Sequence, residues 1–291
     1  MHNCGRTLLL KNGSYEACIV TVGAGLASLK HNNKDLVISH SEYEIPKAHL
    51  GKVLAPWPNR IDNAQYEFGG IKYDLPINDK VNNTAIHGLV AWKEWDIEDV
   101  SSSSCTLSTY TTPVYGYPFL LKILITYSLD EKLGLKVLIS AQNLSDLSAP
   151  YGVGFHPYLT LNNEVIDTCK LSIMADSVFA LDLHMKPTKL VSCDSLNLQF
   201  NDREILSTQI DHTFKAGTKG FSVCLRNKSM AVCMSSNAPY VQIYTGEKLS
   251  RLGLAAEPMT CPPNAFNSKI DLCVLKPFES LSMSFCIYQM Q

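Results

Sequence analysis

The chain has 291 residues, of which 46% are hydrophobic and 18% are charged, and its 25 basic and 27 acidic side chains give a formal net charge of -2. This composition allows a large core and excludes a largely disordered chain, and the near-neutral charge without a basic run argues against a nucleic-acid partner. The apolar piece at 7–10 is too short for a signal peptide core, and no stretch approaches the roughly 18 apolar residues of a membrane span. We therefore expect a soluble, cytoplasmic protein with no membrane partner.

Short runs of β-branched and aromatic residues between Gly, Asn, Asp and Pro predict strands along the whole chain, whereas no helical period of about 3.6 residues is sustained. The predicted strands lie at 17–22, 26–31, 34–39, 97–100, 104–110, 120–129, 132–141, 170–175, 221–226, 230–235, 240–245 and 280–288. Adjacent runs predict hairpins at 66–69 with 71–74, at 120–129 with 132–142, and at 221–226 with 230–235. Hairpins without intervening helices indicate antiparallel sheets packed face to face. Since no linker divides the pattern, the sequence predicts one all-β domain over 1–291.

The ten cysteines are spread along the chain without a C-x-x-C pair and without clustering near histidine. Most of them lie in apolar, strand-like runs, such as Cys224 in the run 221–225. In the absence of a secretory signal, this spacing predicts reduced, buried thiols and no structural zinc site.

The segment 149–159 places a single ionisable side chain, His156, in an apolar and aromatic run. Gly152 and Gly154 allow another backbone or a ligand to approach closely. A histidine in this setting is either buried and hydrogen-bonded in the core or directed into a cleft, where its near-neutral pKa is useful.

The segment 54–61 is stiffened by two prolines, which would hold Trp57 and Arg60 in place. Arginine offers a fork of donors that suits pairs of oxygens, and a tryptophan face suits apolar ring surfaces. The structural alternative is a surface arginine on a loop.

Three further residues stand in segments with loop character. His87 precedes a glycine, at a predicted loop tip, and Asp211 precedes a histidine in a predicted turn. Glu257 closes an apolar run, where partial desolvation would raise its pKa towards a value useful to a general base. The structural alternatives are a satisfied histidine, a turn aspartate and an exposed glutamate at a strand end.

These segments belong to an ordered series of short motifs along nearly the whole chain. The motifs are Pro-Asn-Arg-Ile at 58–61, Tyr-Glu-Phe-Gly-Gly at 66–70, Tyr-Asp-Leu-Pro-Ile-Asn at 73–78, Ile-His-Gly at 86–88, the histidine stretch at 154–159, Asp-His-Thr-Phe at 211–214 and Val-Leu-Lys-Pro-Phe-Glu at 274–279. In their order and spacing, the chain resembles the aldose 1-epimerase (galactose mutarotase-like) family. The form Ala-Pro-Trp-Pro-Asn-Arg at 55–60 is similar to a bacterial subgroup whose members often have no assigned sugar. The resemblance implies a large antiparallel β-sandwich with a sugar site in a cleft on one face.

The resemblance also implies a reaction, the opening and closing of an aldose ring at C1, with a small-molecule sugar as substrate. His156 falls at the position of the acid that protonates the ring oxygen, and Glu257 at that of the base for the C1 hydroxyl. Arg60, His87 and Asp211 fall at sugar-binding positions. A histidine and a glutamate with differently set pKa values perform such proton transfers without a metal or cofactor. We expect no cofactor, and a monomer or homodimer.

Several points stay open from the sequence. Trp57 either offers a flat face to the sugar ring or packs within its loop. Phe155 precedes the histidine where the family usually has asparagine, and Met259 stands where galactose enzymes often have glutamine, so galactose and glucose are not assumed as substrates. A phosphorylated-hexose epimerase would need an Arg and Lys cluster. A non-catalytic carbohydrate-binding sandwich would use the same hydroxyl-binding residues, and a retaining glycosidase would need two carboxylates about 5–5.5 Å apart.

Overall fold

The computed structural model describes residues 2–217 and 219–290, most of which lie in antiparallel strands and their connections. The first ten strands are β1 (Thr7–Asn12), β2 (Tyr15–Val20), β3 (Gly25–His31), β4 (Lys34–Asp35), β5 (Val53–Leu54), β6 (Arg60–Asp62), β7 (Gln65–Phe68), β8 (Ile71–Asp74), β9 (Thr84–Ile86) and β10 (Asp96–Val100). The next ten are β11 (Ser104–Thr111), β12 (Leu121–Asp130), β13 (Gly134–Asn143), β14 (Ala149–Tyr151), β15 (Gly154–Phe155), β16 (Tyr158–Leu159), β17 (Lys170–Ile173), β18 (Ser177–Leu181), β19 (Pro187–Ser192) and β20 (Arg203–Glu204).

The remaining strands are β21 (Asp211–Lys215), β22 (Phe221–Arg226), β23 (Ala231–Ser236), β24 (Tyr240–Tyr244), β25 (Leu254–Met259), β26 (Cys273–Leu275) and β27 (Ser280–Met290). Helical structure within the described residues is limited to one short α-helix, α1 (Ala265–Ser268), and to 3-10 turns at Lys47–His49, Ile166–Thr168, Cys193–Leu196 and Glu247–Leu249. None of the helices among these residues is long and apolar enough to cross a membrane.

Two large antiparallel sheets organise the described residues. One has nine strands in the order β10-β11-β12-β13-β27-β23-β22-β17-β20, and the other has eight, in the order β19-β18-β21-β24-β25-β15-β5, with β16 also paired to β25. Phe155 of the second sheet packs on Phe285 and Tyr127 of the first, with ring centroids 5.0 Å and 6.2 Å apart. The large antiparallel β-sandwich predicted from the sequence is therefore confirmed.

The hairpin of β12 and β13 shows why these residues form strands. Side chains along β12 alternate between buried and partly exposed, so that Ile123, Ile125 and Tyr127 all enter the core. Burial of each large apolar side chain contributes about 1.5–3 kcal/mol, and a register slip of one residue would expose the whole set. At the turn, the Asp130 carboxylate accepts hydrogen bonds from the backbone N–H groups of Lys132 and Leu133, both at 2.9 Å.

The other predicted hairpins, β7 with β8 and β22 with β23, are also present. The predicted strand at 34–39 is wrong beyond Asp35, where β4 ends. Strand β4 is the edge of a four-stranded sheet of order β1-β2-β3-β4. The chain turns from this sheet towards β16, because Val37 bridges to Leu159 and the Ile38 N–H donates to the Tyr158 carbonyl at 2.8 Å. This departure brings the segment that follows towards the neighbourhood of His156.

The prediction that the cysteines are reduced thiols is wrong for two of them. Cys224 and Cys233 stand directly opposite each other in the β22–β23 pair, with Cα atoms 4.1 Å apart, and they form a disulfide. Strand register creates this proximity, which sequence spacing does not reveal. The other eight cysteines are free, and five of these are buried.

Candidate active site

Glu257 lies on β25, in the interior of the eight-stranded sheet, and the residue is only 2% exposed. The hydrogen-bond register places Glu257 opposite Gln242 of β24. Its Oε2 atom has no hydrogen-bond partner within the described residues. Burial raises the pKa of the Glu257 carboxyl well above its ordinary value, and the charge of Asp211 adds to this, while Arg60 opposes it. Glu257 is thus a buried carboxyl group with an oxygen left free for a ligand or a proton.

His156 lies in the connection between β15 and β16, and both of these strands pair with β25. Because that connection spans the middle of β25, the His156 ring comes to lie beside Glu257, with Nε2 3.4 Å from Oε1. Gly154 allows the approach of the proline segment, since a Cβ atom there would stand 2.9 Å from the Pro58 Cβ. The two residues predicted as acid and base therefore lie side by side.

The backbone and ring environment fix the position of His156. Its N–H donates to the Lys52 carbonyl at 3.0 Å, and its carbonyl accepts from Gly51 at 2.9 Å. The Tyr158 ring lies nearly parallel to it, with centroids 5.0 Å apart. Burial lowers the pKa of His156 well below 6.5, and the neighbouring His49 adds to this. Burial therefore favours the neutral forms of both His156 and Glu257.

His87 adds a second buried imidazole. Its ring lies 5.2 Å from that of His156, and its Nδ1 atom has no partner within the described residues. His87 has a φ of 66°, and the following Gly88 has a φ of 71°. A Cβ atom on Gly88 would stand 2.1 Å from the Ala55 carbonyl oxygen, so a glycine is needed for the loop to approach this backbone. Burial lowers the pKa of His87 well below 6.5.

Arg60 and Asp211 lie on two other strands, β6 and β21, and their charges act on Glu257. The Arg60 Nε donates to Asp79 Oδ2 at 3.0 Å. Gln242 donates to Asp211 Oδ1 at 2.6 Å, and its own Oε1 accepts a hydrogen bond from the Thr213 hydroxyl. Burial raises the pKa of Asp211, against the opposing influence of Arg60. These residues supply hydrogen-bonding groups of fixed orientation beside the acid–base pair.

Trp57 is not brought to the histidines. Its side chain is 2% exposed and belongs to the main hydrophobic cluster, where it packs near Phe266 and Tyr117 with centroids 5.9 Å and 6.3 Å away. Of the two possibilities left open by the sequence, loop packing describes this position. A proline-flanked tryptophan fits a rigid core contact as well as it fits a binding platform.

Two residues of the site were missed in the sequence. Gln242 orients Asp211, and its signal was a long polar side chain in the otherwise apolar strand 240–244. His49 places its ring 4.6 Å from that of His87 and 6.2 Å from that of His156. Its position depends on a backbone conformation with a φ of 54°, for which the local sequence carries no clear signal.

A metal ion is the other occupant that these side chains suggest. His87, His156 and Glu257 each offer a ligand atom, and these atoms lie within 4.8 Å of one another. Zinc bonds to nitrogen and oxygen are about 2.0–2.2 Å long, so tetrahedral ligand atoms stand roughly 3.3–3.6 Å apart. The residue types fit zinc. If their ligand atoms are as far apart as 4.8 Å, however, the three side chains would have to move closer together before all of them could bind one ion.

A separate cavity of about 610 Å³ is lined by residues that include Ile173, Phe200 and Cys224. Its lining includes Asp176 and Lys219 but none of His49, His87, His156 and Glu257. Volume alone does not identify an active site. Paired ionisable groups with shifted pKa values are a stronger indication, so the His156–Glu257 pair stays the candidate.

The comparisons with known proteins agree with this geometry. A family model described as aldose 1-epimerase matches residues 6–287, so the chain belongs to the aldose 1-epimerase family, an isomerase family that acts on carbohydrates. It is 47% identical over 291 residues to the uncharacterized protein YihR of Escherichia coli (strain K12), covering 99% of this chain and 94% of that protein. It is 22% identical to the galactose mutarotase of Mus musculus, covering 82% of this chain and 77% of that protein.

Solved structures of low sequence identity share the fold. The GalM/aldose epimerase homologue from C. elegans superimposes with a TM-score of 0.88 at 19% identity, covering 98% of this chain and 99% of that one. The galactose 1-epimerase from Lactobacillus acidophilus NCFM gives a TM-score of 0.85 at 20% identity, covering 98% and 94%. The galactose mutarotase-like architecture implied by the sequence motifs is therefore confirmed.

Proposed function

We propose that the protein interconverts the α and β anomers of an aldose by means of the His156–Glu257 pair. The observation that carries this proposal is the 3.4 Å separation between His156 Nε2 and Glu257 Oε1 in a buried setting. Each of the two side chains also has a second polar atom, Nδ1 or Oε2, without a partner in the described part of the chain. A buried imidazole and a buried carboxyl group that share a proton form a general acid–base pair.

The chemistry needs one proton delivered and one removed. Burial favours neutral His156 and protonated Glu257, so the proposed reaction begins when the Glu257 proton passes to His156. His156, now the acid, protonates the ring oxygen as the bond between C1 and that oxygen breaks, and Glu257, now the base, takes the proton of the C1 hydroxyl. The product is an open-chain aldehyde, which rotates about the C1–C2 bond. In reclosure the ring hydroxyl attacks the other face of the carbonyl, Glu257 returns its proton to the carbonyl oxygen, and His156 recovers its own. The pair ends as it began, so no cofactor is consumed.

Arg60, His87 and Asp211 are proposed to bind hydroxyl groups of the sugar. A polyol offers a donor and an acceptor at each hydroxyl, so its orientation requires several fixed polar partners. Asp211 is held by Gln242 at 2.6 Å and Arg60 by Asp79 at 3.0 Å, so both enter the reaction in a defined orientation. Fixed partners of this kind reduce the entropy that substrate binding must overcome.

A panel of aldoses would identify the sugar on which the protein acts. Anomer exchange of neutral, acidic and phosphorylated aldoses would be followed at equilibrium by NMR, with wild type, Glu257→Gln and His156→Asn. We expect at least one sugar to exchange faster with wild type, and each substitution to lower this rate by about 10²–10⁴-fold, which is the usual contribution of general acid–base catalysis. His31→Asn, a substitution on β3 outside the cluster, is the control and should keep full activity.

The same panel tests the principal alternative, a non-catalytic carbohydrate-binding sandwich. If a sugar binds and no exchange is accelerated, and if binding survives both Glu257→Gln and His156→Asn, the acid–base proposal is overturned. Binding would be measured by calorimetry on the same samples, and thermal unfolding would confirm that each variant is folded.

A further inference from the structure

The backbone of the segment 47–52 holds His49 in an unusual position. Ala48 and His49 have φ values of 50° and 54°, a left-handed conformation that is unfavourable for residues with a side chain. The segment is attached to the reactive histidine, because Gly51 donates to the His156 carbonyl and the His156 N–H donates to the Lys52 carbonyl. Strained residues held by surrounding structure cluster at functional sites, so the conformation of His49 calls for a functional explanation.

Further contacts keep this segment in place. The Tyr158 hydroxyl donates to the Ala48 carbonyl at 3.3 Å, and the Lys52 N–H donates to the His49 carbonyl at 3.1 Å. Leu50 packs with Tyr158 and Ala255 in a small apolar cluster beside β25. The segment is therefore anchored on the strand that carries Glu257, and His49 has a fixed position relative to the reactive pair.

The ring of His49 lies among the other aromatic groups of the site. Its centroid is 4.6 Å from that of His87, and it is nearly parallel to the His156 ring at 6.2 Å. On the outer side, Trp92 lies 5.3 Å away and is 48% exposed. His49 is thus close both to the two buried histidines and to a partly exposed tryptophan.

The imidazole of His49 has hydrogen-bonding capacity that the fold does not use. Within residues 2–217 and 219–290, no hydrogen bond involves the ring nitrogens of His49, and the residue stays partly exposed. Burial lowers its pKa to about 4, with the cations Lys248 and Lys52 adding to this. A neutral imidazole presents one donor and one acceptor, which match the two roles of a sugar hydroxyl.

We propose that His49 is a sugar-binding residue, whose ring forms a hydrogen bond with a hydroxyl remote from C1 and so helps to select the sugar. This inference rests on the proposed function and deepens it, since it assigns a specificity contact to a residue outside the acid–base pair. The contact belongs to substrate binding, so it predicts an effect on KM rather than on the proton transfers.

The test compares His49→Phe with His49→Gln. His49→Phe keeps an aromatic ring against Trp92 and His87 but removes both nitrogens, whereas His49→Gln keeps a donor and an acceptor. For the best sugar of the panel, we expect KM to rise roughly 3- to 10-fold in His49→Phe, with kcat within about 2-fold, and a partial recovery in His49→Gln. His31→Phe is the matched control, since His31 packs on Tyr15 at 4.3 Å outside the site.

Monodeoxy sugars locate the contact. Wild type should discriminate against one analogue of the series, the one that lacks the recognised hydroxyl, and His49→Phe should lose that discrimination. The proposal is overturned if His49→Phe leaves KM unchanged, if it lowers kcat and shifts the pH profile instead, or if every deoxy sugar keeps its wild-type ratio.

Failure of this inference differs from failure of the proposed function. An active wild type with an unchanged His49→Phe variant overturns only the role of His49. If no sugar is epimerised, the same variants and deoxy sugars are compared by calorimetric binding. Loss of one neutral hydrogen bond is expected to weaken binding about 3- to 10-fold. Weakening of this size in His49→Phe would support the contact even without catalysis, and equal binding by the two proteins would overturn it.

Discussion

The environments of His156 and Glu257 shift their pKa values in opposite directions. Burial raises the pKa of the Glu257 carboxyl well above 4.5 and lowers that of His156 well below 6.5. In both cases the neutral form is favoured, because burial disfavours the charged form. A single proton on the pair is enough, since one partner is then an acid and the other a base.

This ionisation predicts a bell-shaped pH dependence of kcat/KM. The pair becomes inactive when a second proton binds to His156, at a pH well below 6.5, and when the only proton is lost, at a pH well above 4.5. The profile would be measured by polarimetry or exchange NMR, with correction for buffer-catalysed mutarotation. An enzyme whose activity rises steadily to an alkaline plateau would contradict the shared proton.

A second prediction at the scale of single residues concerns the replacement of Gln242. Gln242→Leu leaves the Thr213 hydroxyl and the Asp211 carboxylate without their partner in a buried setting. Loss of such partners costs about 1–3 kcal/mol for each unsatisfied group, so the free energy of unfolding should fall and KM should rise. Urea unfolding and steady-state kinetics would measure the two effects. Unchanged stability and KM would show that Gln242 does not orient Asp211.

The residues of the site differ in how visible they are in the sequence. His156 and Glu257 stand out because each is a lone ionisable side chain in an apolar run, and the structure brings them together. Trp57 stands out equally, yet it packs in the core, since a rigid aromatic segment serves packing as well as binding. His49 is not visible, because its place depends on a left-handed backbone conformation of the segment that carries it.

At the scale of elements, the site depends on loops that approach a strand closely. The loop that carries His87 passes over the backbone of Ala55, where a Cβ atom on Gly88 would stand 2.1 Å from the Ala55 oxygen. Gly88→Ala must therefore move the loop as well as strain a backbone with a φ of 71°. We expect the free energy of unfolding to fall by roughly 2–4 kcal/mol, because of the backbone strain and the steric clash. We also expect kcat/KM to fall about 10- to 100-fold, because His87 would be displaced.

The variant Gly69→Ala is a matched control that separates the effect of backbone strain from that of a steric clash. Gly69 has a φ of 60° and nothing within 4 Å of a built Cβ atom, so Gly69→Ala meets the same backbone preference in open space. Its expected loss is about 1 kcal/mol, with kcat/KM unchanged. If the two alanine variants unfold at the same temperature and retain the same activity, the close approach at Ala55 is unimportant.

The elements themselves were predictable where hydrophobic alternation is regular. The strands of the β12–β13 hairpin repeat with a period of two and end at a turn marked by Asp130, so both were found. The hairpin of β18 and β19 was missed, since β19 carries partly or fully exposed side chains throughout and lacks an apolar face. The Cys224–Cys233 bond was missed because it depends on register between two strands rather than on spacing within one.

At the scale of the whole molecule, the buried histidines link folding to pH. Burial lowers the pKa of His49 to about 4 and those of His87 and His156 well below 6.5, the ordinary value. A histidine whose folded-state pKa is depressed contributes stability that is present above pH 6.5 and is lost as the pH falls through its folded-state pKa. The contribution of these histidines to stability should therefore fall between about pH 6.5 and pH 4. The raised pKa values of Glu257 and Asp211 act in the opposite sense, since a carboxyl group with a raised folded-state pKa adds stability as the pH falls.

His49→Gln isolates one part of this linkage. The wild type should lose roughly 2–3 kcal/mol more unfolding free energy than the variant between pH 7 and pH 4, because the variant has no imidazole to protonate at that position. Urea unfolding at the two pH values gives the difference directly. Equal losses in the two proteins would show that His49 does not titrate with the depressed pKa.

The central claim is that His156 and Glu257 act as one proton-transfer unit, and a double-mutant cycle tests it most directly. Anomer exchange would be measured by NMR at equilibrium for wild type, His156→Asn, Glu257→Gln and the double variant, with the sugar that wild type accelerates most. We predict that each single substitution lowers the rate by about 10²–10⁴-fold and that the double variant is scarcely slower than the worse single one. Small single effects, or losses that multiply in the double variant, would contradict the account.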